Sequence, residues 1–225
     1  MKRGKLLFAT SLAAALVSPA LAESEVGADF FWPEAREIAI ARSAAPETVS
    51  ENASYWVLLP SGYRQVVTGS NGFNCLVLRQ WSAAFDTQRE LFEWEGLVAP
   101  ICYDPVTSAS SMQEQFLRAE LGLAGADHDA IRAEIMSAYG DGRLRPLERT
   151  AFSYMYSGAQ RLTPNAGHWH PHLMVHAPYY TNDMLGGNSF TSGDPVVFEA
   201  PGTFRAIIAI PVNGRDGHIQ PQFEE

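Results

Sequence analysis

Cysteine is nearly missing from this chain. Cys75 and Cys102 are the two in 225 residues. That is too few for a disulfide scaffold, and no C-x-x-C pair is present to build a zinc ribbon or a thioredoxin-like redox motif. Basic residues are also scarce: 16 Lys+Arg stand against 25 Asp+Glu, a formal charge of −9. No Lys/Arg-rich run reverses this locally. A surface of that sign repels phosphate backbones and anionic lipid heads, so nucleic-acid binding is not expected. Beyond residue 22 no apolar run is long enough to span a bilayer.

The familiar catalytic signatures are missing as well. There is no G-x-S-x-G elbow to expose a nucleophilic serine, no G-x-G-x-x-G or Walker A loop to cradle phosphates, and no H-E-x-x-H helix to hold a protease zinc. Asp141-Gly-Arg-Leu lacks the D-x-[DN]-x-[DN]-G frame of a calcium loop and reads as a helix-exit turn. Glu93 and Glu95, around Trp94, read as ordinary polar positions. Internal repeats and low-complexity tracts are absent.

What is present begins with the N-terminus. Lys2, Arg3 and Lys5 precede an apolar run from Leu6 to Val17, followed by Ala20-Leu21-Ala22. This order predicts a secretory signal peptide over residues 1–22, cleavage near Ala22, and an exported protein, periplasmic or extracellular. Residues 23–225 are then expected to form one globular domain. With 46% hydrophobic and 11% aromatic residues, the chain can bury a substantial core. In an exported protein an isolated pair of cysteines predicts a Cys75–Cys102 disulfide. Its loop of about 28 residues contributes roughly 3–4 kcal/mol on the chain-entropy model.

Pattern reading gives an α+β fold. Pro33 opens a helix running to Ser43, with acids in its first turn, and Pro46 stops it. Residues 55–59, 63–68 and 73–79 alternate as strands, with Asn71-Gly72 as a hairpin signal, so 55–79 is expected to be a three-stranded antiparallel meander. Ser111-Met-Gln-Glu114 has the form of a capping box, and Phe116, Leu117 and Leu121 make an apolar stripe behind it. Asp127 is positioned to cap a second helix with Ile131, Ile135, Met136 and Tyr139 inward and Gly140 at its end. These two helices form the expected helical hairpin, packed on one face of an antiparallel sheet. Residues 151–156, 173–177, 196–198 and 204–212 supply the C-terminal strands, and 181–195 reads as a surface loop.

Several segments resemble an uncharacterised family of bacterial exported proteins: Asn71-Gly-Phe-Asn-Cys-Leu-Val77, Ile101-Cys-Tyr-Asp104, Tyr154-Met-Tyr-Ser157, Pro171-His-Leu-Met174, and Ala177-Pro-Tyr-Tyr-Thr-Asn182 followed by Gly186. They run through most of the mature chain. The resemblance implies export; it implies no activity, cofactor or site residue.

Chemistry is concentrated in one place. Four of the six histidines, His168, His170, His172 and His176, fall within Gly167-His-Trp-His-Pro-His-Leu-Met-Val-His176. If 168–172 is extended, His168, His170 and His172 share a face at roughly 6–7 Å spacing. That H-x-H-x-H arrangement suits zinc or another divalent transition metal. His176 lies about 13 Å beyond His172 on a straight strand, too far to share its ion. A further ligand must come from Asp183, Asp194, Glu199 or His218. The competing reading makes His172 and His176 core residues bonded to backbone carbonyls, with His168 and His170 exposed beside Trp169. Tyr154, Tyr156, Tyr179 and Tyr180 either line an aromatic groove or pack on the sheet. Function is accordingly read first as a non-catalytic protein binding a small molecule or protein partner through the cleft beside 168–176. The alternatives are a metal-dependent hydrolytic or oxidative enzyme using His168, His170 and His172, and a cell-envelope structural protein.

Overall fold

The computed structural model describes residues 30–86, 89–162, 170–188 and 193–212. The expected signal peptide, His168, Trp169 and His218 lie outside the described residues. In chain order the elements are α1 (Glu34–Arg42), α2 (Glu47–Ser50), β1 (Ser54–Leu59), β2 (Gly62–Val67), β3 (Asn74–Leu78), α3 (Arg89–Phe92), β4 (Ala99–Tyr103), α4 (Pro105–Ser108), α5 (Ser111–Leu123), α6 (His128–Gly140), β5 (Ala151–Met155), β6 (His172–His176), β7 (Val196–Glu199) and β8 (Ile207–Pro211). The strands form one eight-stranded sheet in the order β2-β1-β3-β4-β5-β6-β8-β7. This is the expected α+β class. Among the described residues no helix is long and apolar enough to cross a membrane.

Both helix-opening prolines act at N-caps. Their missing N–H costs nothing there, while the Pro33 carbonyl accepts from Arg36 N and Glu37 N and the Pro46 carbonyl from Val49 N and Ser50 N. Pro46 therefore opens α2 rather than stopping α1, which ends at Arg42. Asp127 caps α6 as expected, its carboxylate accepting from Ala130 N at 2.9 Å.

The antiparallel meander is corrected. β1 pairs antiparallel with β2 and parallel with β3 through Ser54↔Asn74 and Tyr55↔Cys75. Asn71-Gly72 is the cause. The Asn71 amide donates to Val49 O at 2.7 Å, Ser70 N donates to Asn52 O, and Gly69 N donates to Ser54 Oγ. The turn is thereby tied to the α2–β1 connection. It carries the chain back past β1 instead of closing a hairpin, and Gly72 supplies the positive φ of +79° it needs. All other pairings in the sheet are antiparallel.

Period-two alternation sorts each strand between two faces. On one face Cys75 and Cys102, opposite each other in the β3–β4 ladder, form the expected disulfide, sealed under α1 with Ala41, Ala44 and Val77. Arg79, held by Glu37 of α1 at 2.7 and 2.9 Å, lies 4.3 Å over the Trp32 ring on this side. The other face carries Leu76, Leu78, Ala99, Ile101, Met155 and Met174.

Against this second face lies α5. The Phe116 ring lies tilted 4.8 Å from Trp56 and 5.5 Å from Tyr63 of β2, while Ala119 and Leu123 join Ile131 and Ile135 of α6 in a second cluster with Trp81. Met136 is 45% exposed, so it does not face inward as its spacing suggested. The expected stripe of Phe116, Leu117 and Leu121 is only partly buried. The fully covered face of α5 instead runs through Glu114, Arg118 and Gly122. That face can bury charge because Glu114 is paired with Arg118 and Arg205.

Candidate functional site

Between the sheet and the first turns of α5 is a cavity of about 70 Å³. Alternation on β4 aims Ile101 and Tyr103 into it, β6 adds Met174 and His176, and α5 closes it with Ser111 and Gln115. The walls are mainly apolar, as small-molecule sites usually are, with a few convergent polar groups.

His176 is the polar centre of the sheet wall. It is paired across the ladder with Ala151 of β5 and Ile207 of β8 and is 3% exposed. Its Nδ1 lies 3.1 Å from Ser111 Oγ and its Nε2 3.1 Å from Ser153 Oγ. The neutral ring donates to one serine and accepts from the other. Burial pushes its pKa down to about 4, so it is uncharged at neutral pH. The expected capping box is not formed: Ser110 is the N-cap residue, Ser111 opens the helix, and the Ser111 hydroxyl is directed to His176.

Glu114 is also committed elsewhere. Its carboxylate accepts from Arg118 Nε at 2.8 Å, from Arg205 Nη2 at 2.8 Å and Nε at 3.1 Å, and from the Tyr139 hydroxyl at 2.8 Å. Glu199 accepts from Arg205 Nη2 at 2.7 Å and Arg118 Nη2 at 3.2 Å. Arg118 Nη1 donates to the carbonyls of Trp81 and Ala83, and its guanidinium lies 3.8 Å over the Phe85 ring. Two carboxylates thus meet two guanidinium groups in a region where all four side chains are nearly or fully buried. Burial pushes the Glu114 carboxyl up, but Arg118 and Arg205, with the Tyr139 hydrogen bond, hold it down at about 2. The contrast with Glu37 is instructive. There burial outweighs the Arg79 ion pair, the Leu58 backbone hydrogen bond and the charge of Arg36, and the pKa lies above the ordinary carboxylate value.

The sequence-selected histidines separate. His170 precedes β6 and is partly exposed, whereas His172 opens the strand and is 2% exposed. The ring of His172 is tied through Nδ1 to the His170 carbonyl at 2.8 Å, and burial lowers its pKa to about 4. His172 and His176 therefore sit in the core; His172 bonds a backbone carbonyl, whereas His176 bonds serine hydroxyls. Among the described residues no group of three or more His, Cys, Asp or Glu is placed to share a metal ion. Of the further ligands considered, Glu199 belongs to the ion network, and Asp183 and Asp194 are exposed.

Tyr103, Gln115, Arg118 and Arg205 were not singled out by the sequence patterns. The one available signal was Glu114 four residues ahead of Arg118, a spacing that joins side chains on a helix. No family model matches the chain, and neither a curated protein nor a solved structure matches it.

Proposed function

We propose that this is an exported, non-catalytic protein that binds a small molecule in the cavity beside His176. One observation carries the reading: a mainly apolar cavity, set between a sheet and a helix, onto which a buried histidine and a buried ion network converge. Charged and polar groups are costly to bury and weakly justified as stabilisers, since well-packed apolar residues serve as well or better. Their concentration around one cavity favours recognition. The test uses methyl-labelled methionine, because Met155 and Met174 line the cavity. A fragment library should contain molecules that shift both methyl signals in NMR spectra, and Ala99→Leu, which fills the cavity, should abolish the shifts. Leu97→Phe provides a second block should that chain not fold. A library that leaves both methyls unmoved defeats the proposal.

The metal-dependent enzyme is the second reading. It is favoured by the His172 Nδ1 contact with a backbone carbonyl, the outer partner that metal-bound histidines commonly use. Untagged protein should then carry stoichiometric zinc or another transition metal that His170→Ala removes. Metal-free protein whose melting is unchanged by added zinc counts against this reading.

A further inference from the structure

The positions of the protons along the Ser153–His176–Ser111 chain decide what this wall of the cavity offers a ligand. Ser153 is 0% exposed, and among the described residues its hydroxyl has one partner, His176 Nε2 at 3.1 Å. A buried hydroxyl proton left unpaired is costly, so Ser153 donates to Nε2. A neutral imidazole has one N–H and one acceptor nitrogen, and burial keeps His176 neutral. With Nε2 accepting, the ring proton sits on Nδ1, which donates to Ser111 Oγ at 3.1 Å. Ser111 thus accepts from His176 and keeps its own O–H free to donate. Among the described residues that proton has no acceptor. Ser111 is partly exposed, unlike His176 and Ser153, and with His176 it lines the cavity.

A hydroxyl proton without an acceptor, on the wall of a mainly apolar cavity, suits a ligand that brings an acceptor. Resting on the ligand-binding reading above, we propose that the cavity takes an uncharged carbonyl compound with a short aliphatic chain, whose oxygen accepts from the Ser111 hydroxyl. The opposite tautomer of His176 would reverse the chain. Its Nε2–H would donate to Ser153, strand the Ser153 proton in the core, and commit the Ser111 proton to the ring. A carbonyl oxygen accepts without adding a donor that itself needs a partner. An ammonium has donors only and would meet another donor at Ser111. A carboxylate could accept, but Glu114 and Glu199 already match Arg118 and Arg205, so the ion would shed its water without gaining a counter-charge. Size limits the class further. The cavity of about 70 Å³ is about half the roughly 150 Å³ of an engineered cavity that binds benzene, so a short chain or its terminal segment fits.

Two measurements test this. The first reads the tautomer in the wild-type protein: 15N spectra of the His176 ring at pH 7 should show Nδ1 protonated and Nε2 bare, and a protonated Nε2 overturns the proposal. The second follows the Met155 and Met174 methyls with pentan-2-one, pentane, pentanoate and pentylammonium as probes. Pentan-2-one should bind more tightly than either ion. Ser111→Ala should weaken pentan-2-one about three- to tenfold, the worth of one hydrogen bond, and leave pentane unchanged. Ser111→Thr, which keeps the hydroxyl, should retain the ketone and serves as the folded control. Equal or tighter binding of pentylammonium or pentanoate overturns the proposal. So does pentan-2-one binding indifferent to Ser111→Ala, or an equal loss for pentane. If the fragment library moves the methyls and pentan-2-one does not, this ligand class is wrong and the binding reading stands. If neither moves them, both fail.

Discussion

Replacing Glu114 by Gln isolates the worth of the buried ion network. The amide keeps the shape of the side chain and deletes one negative charge. Arg118 and Arg205, 0% and 11% exposed at their side chains, would then face Glu199 alone, and the new NH2 group would present a donor to donors. Removing one partner of a buried ion pair costs about 3–5 kcal/mol. A second route gives a similar figure. The Glu114 carboxyl is held at about 2 against an ordinary 4.5. At about 1.4 kcal/mol per pH unit this gap amounts to about 3 kcal/mol. For a chain of this size the melting temperature should fall by roughly 6–20 °C, taking about 2–4 °C per kcal/mol. Urea unfolding followed by circular dichroism measures the loss directly. The sign in pH is fixed, because a lowered folded pKa gives stability that is complete above 4.5 and disappears as pH falls towards 2. The wild-type advantage over Glu114→Gln should therefore be full at pH 7 and shrink below pH 4.5. Adding Arg205→Met restores the charge balance and should recover part of the loss. A deficit under about 1 kcal/mol at pH 7, or one that stays constant down to pH 3, would show that the network does not hold Glu114 as argued.

Two further outcomes follow from the same packing. His172 and His176 have folded pKa values near 4 against 6.5 in the unfolded chain, so between pH 6.5 and 4 the unfolded chain takes up protons that the folded protein refuses. Stability should fall across that window by about 3 kcal/mol for each ring, and His176→Gln should flatten its share of the slope; parallel urea-midpoint curves for variant and wild type would contradict this. Gly122 lies against the buried Trp81, and a Cβ there would come within 2.1 Å of the indole Nε1. Gly122→Ala gains about 1 kcal/mol of helix propensity but overpacks the site at about 1–3 kcal/mol, so the urea midpoint should drop; a raised midpoint refutes the contact.

Much of the fold was legible because its signals are local. Pro33, Asp127, the alternation in the strands read from the sequence and the isolated cysteine pair all act within a few residues of themselves, or by elimination; β4 (Ala99–Tyr103), buried at every position, shows no such alternation and does not read as a strand. The sheet order was not legible at β1–β3. Asn71-Gly72 guarantees a turn, but which strand the chain meets after the turn depends on Val49 O and Asn52 O, some 20 residues away. The same limit explains the capping box. Ser111 and Glu114 have the right spacing for it, yet each finds a stronger tertiary partner: His176, 65 residues on, for the serine, and Arg205, 91 residues on, for the glutamate.

The histidine cluster shows the same competition between local pattern and pairing partner. Alternation does place His172 and His176 on one face of β6, with Met174 between them. Their roles are then set by their neighbours across the ladder. His172 enters the sheet at its margin, opposite Pro211, and turns back to its own chain at His170; His176 sits between Ala151 and Ile207, beneath the start of α5. The residue that the H-x-H-x-H pattern left out is thus the one the fold delivers to the cavity. Tyr103 arrives there by the same logic. It lies one residue beyond Cys102, so the disulfide that faces α1 obliges its neighbour to face the cavity. A one-residue slip of β4 against β3 would exchange these two side chains, putting a phenol under α1 and a sulfur in the cavity. The Cys75–Cys102 bond forbids that slip, and in doing so fixes the Tyr103 ring in the cavity wall.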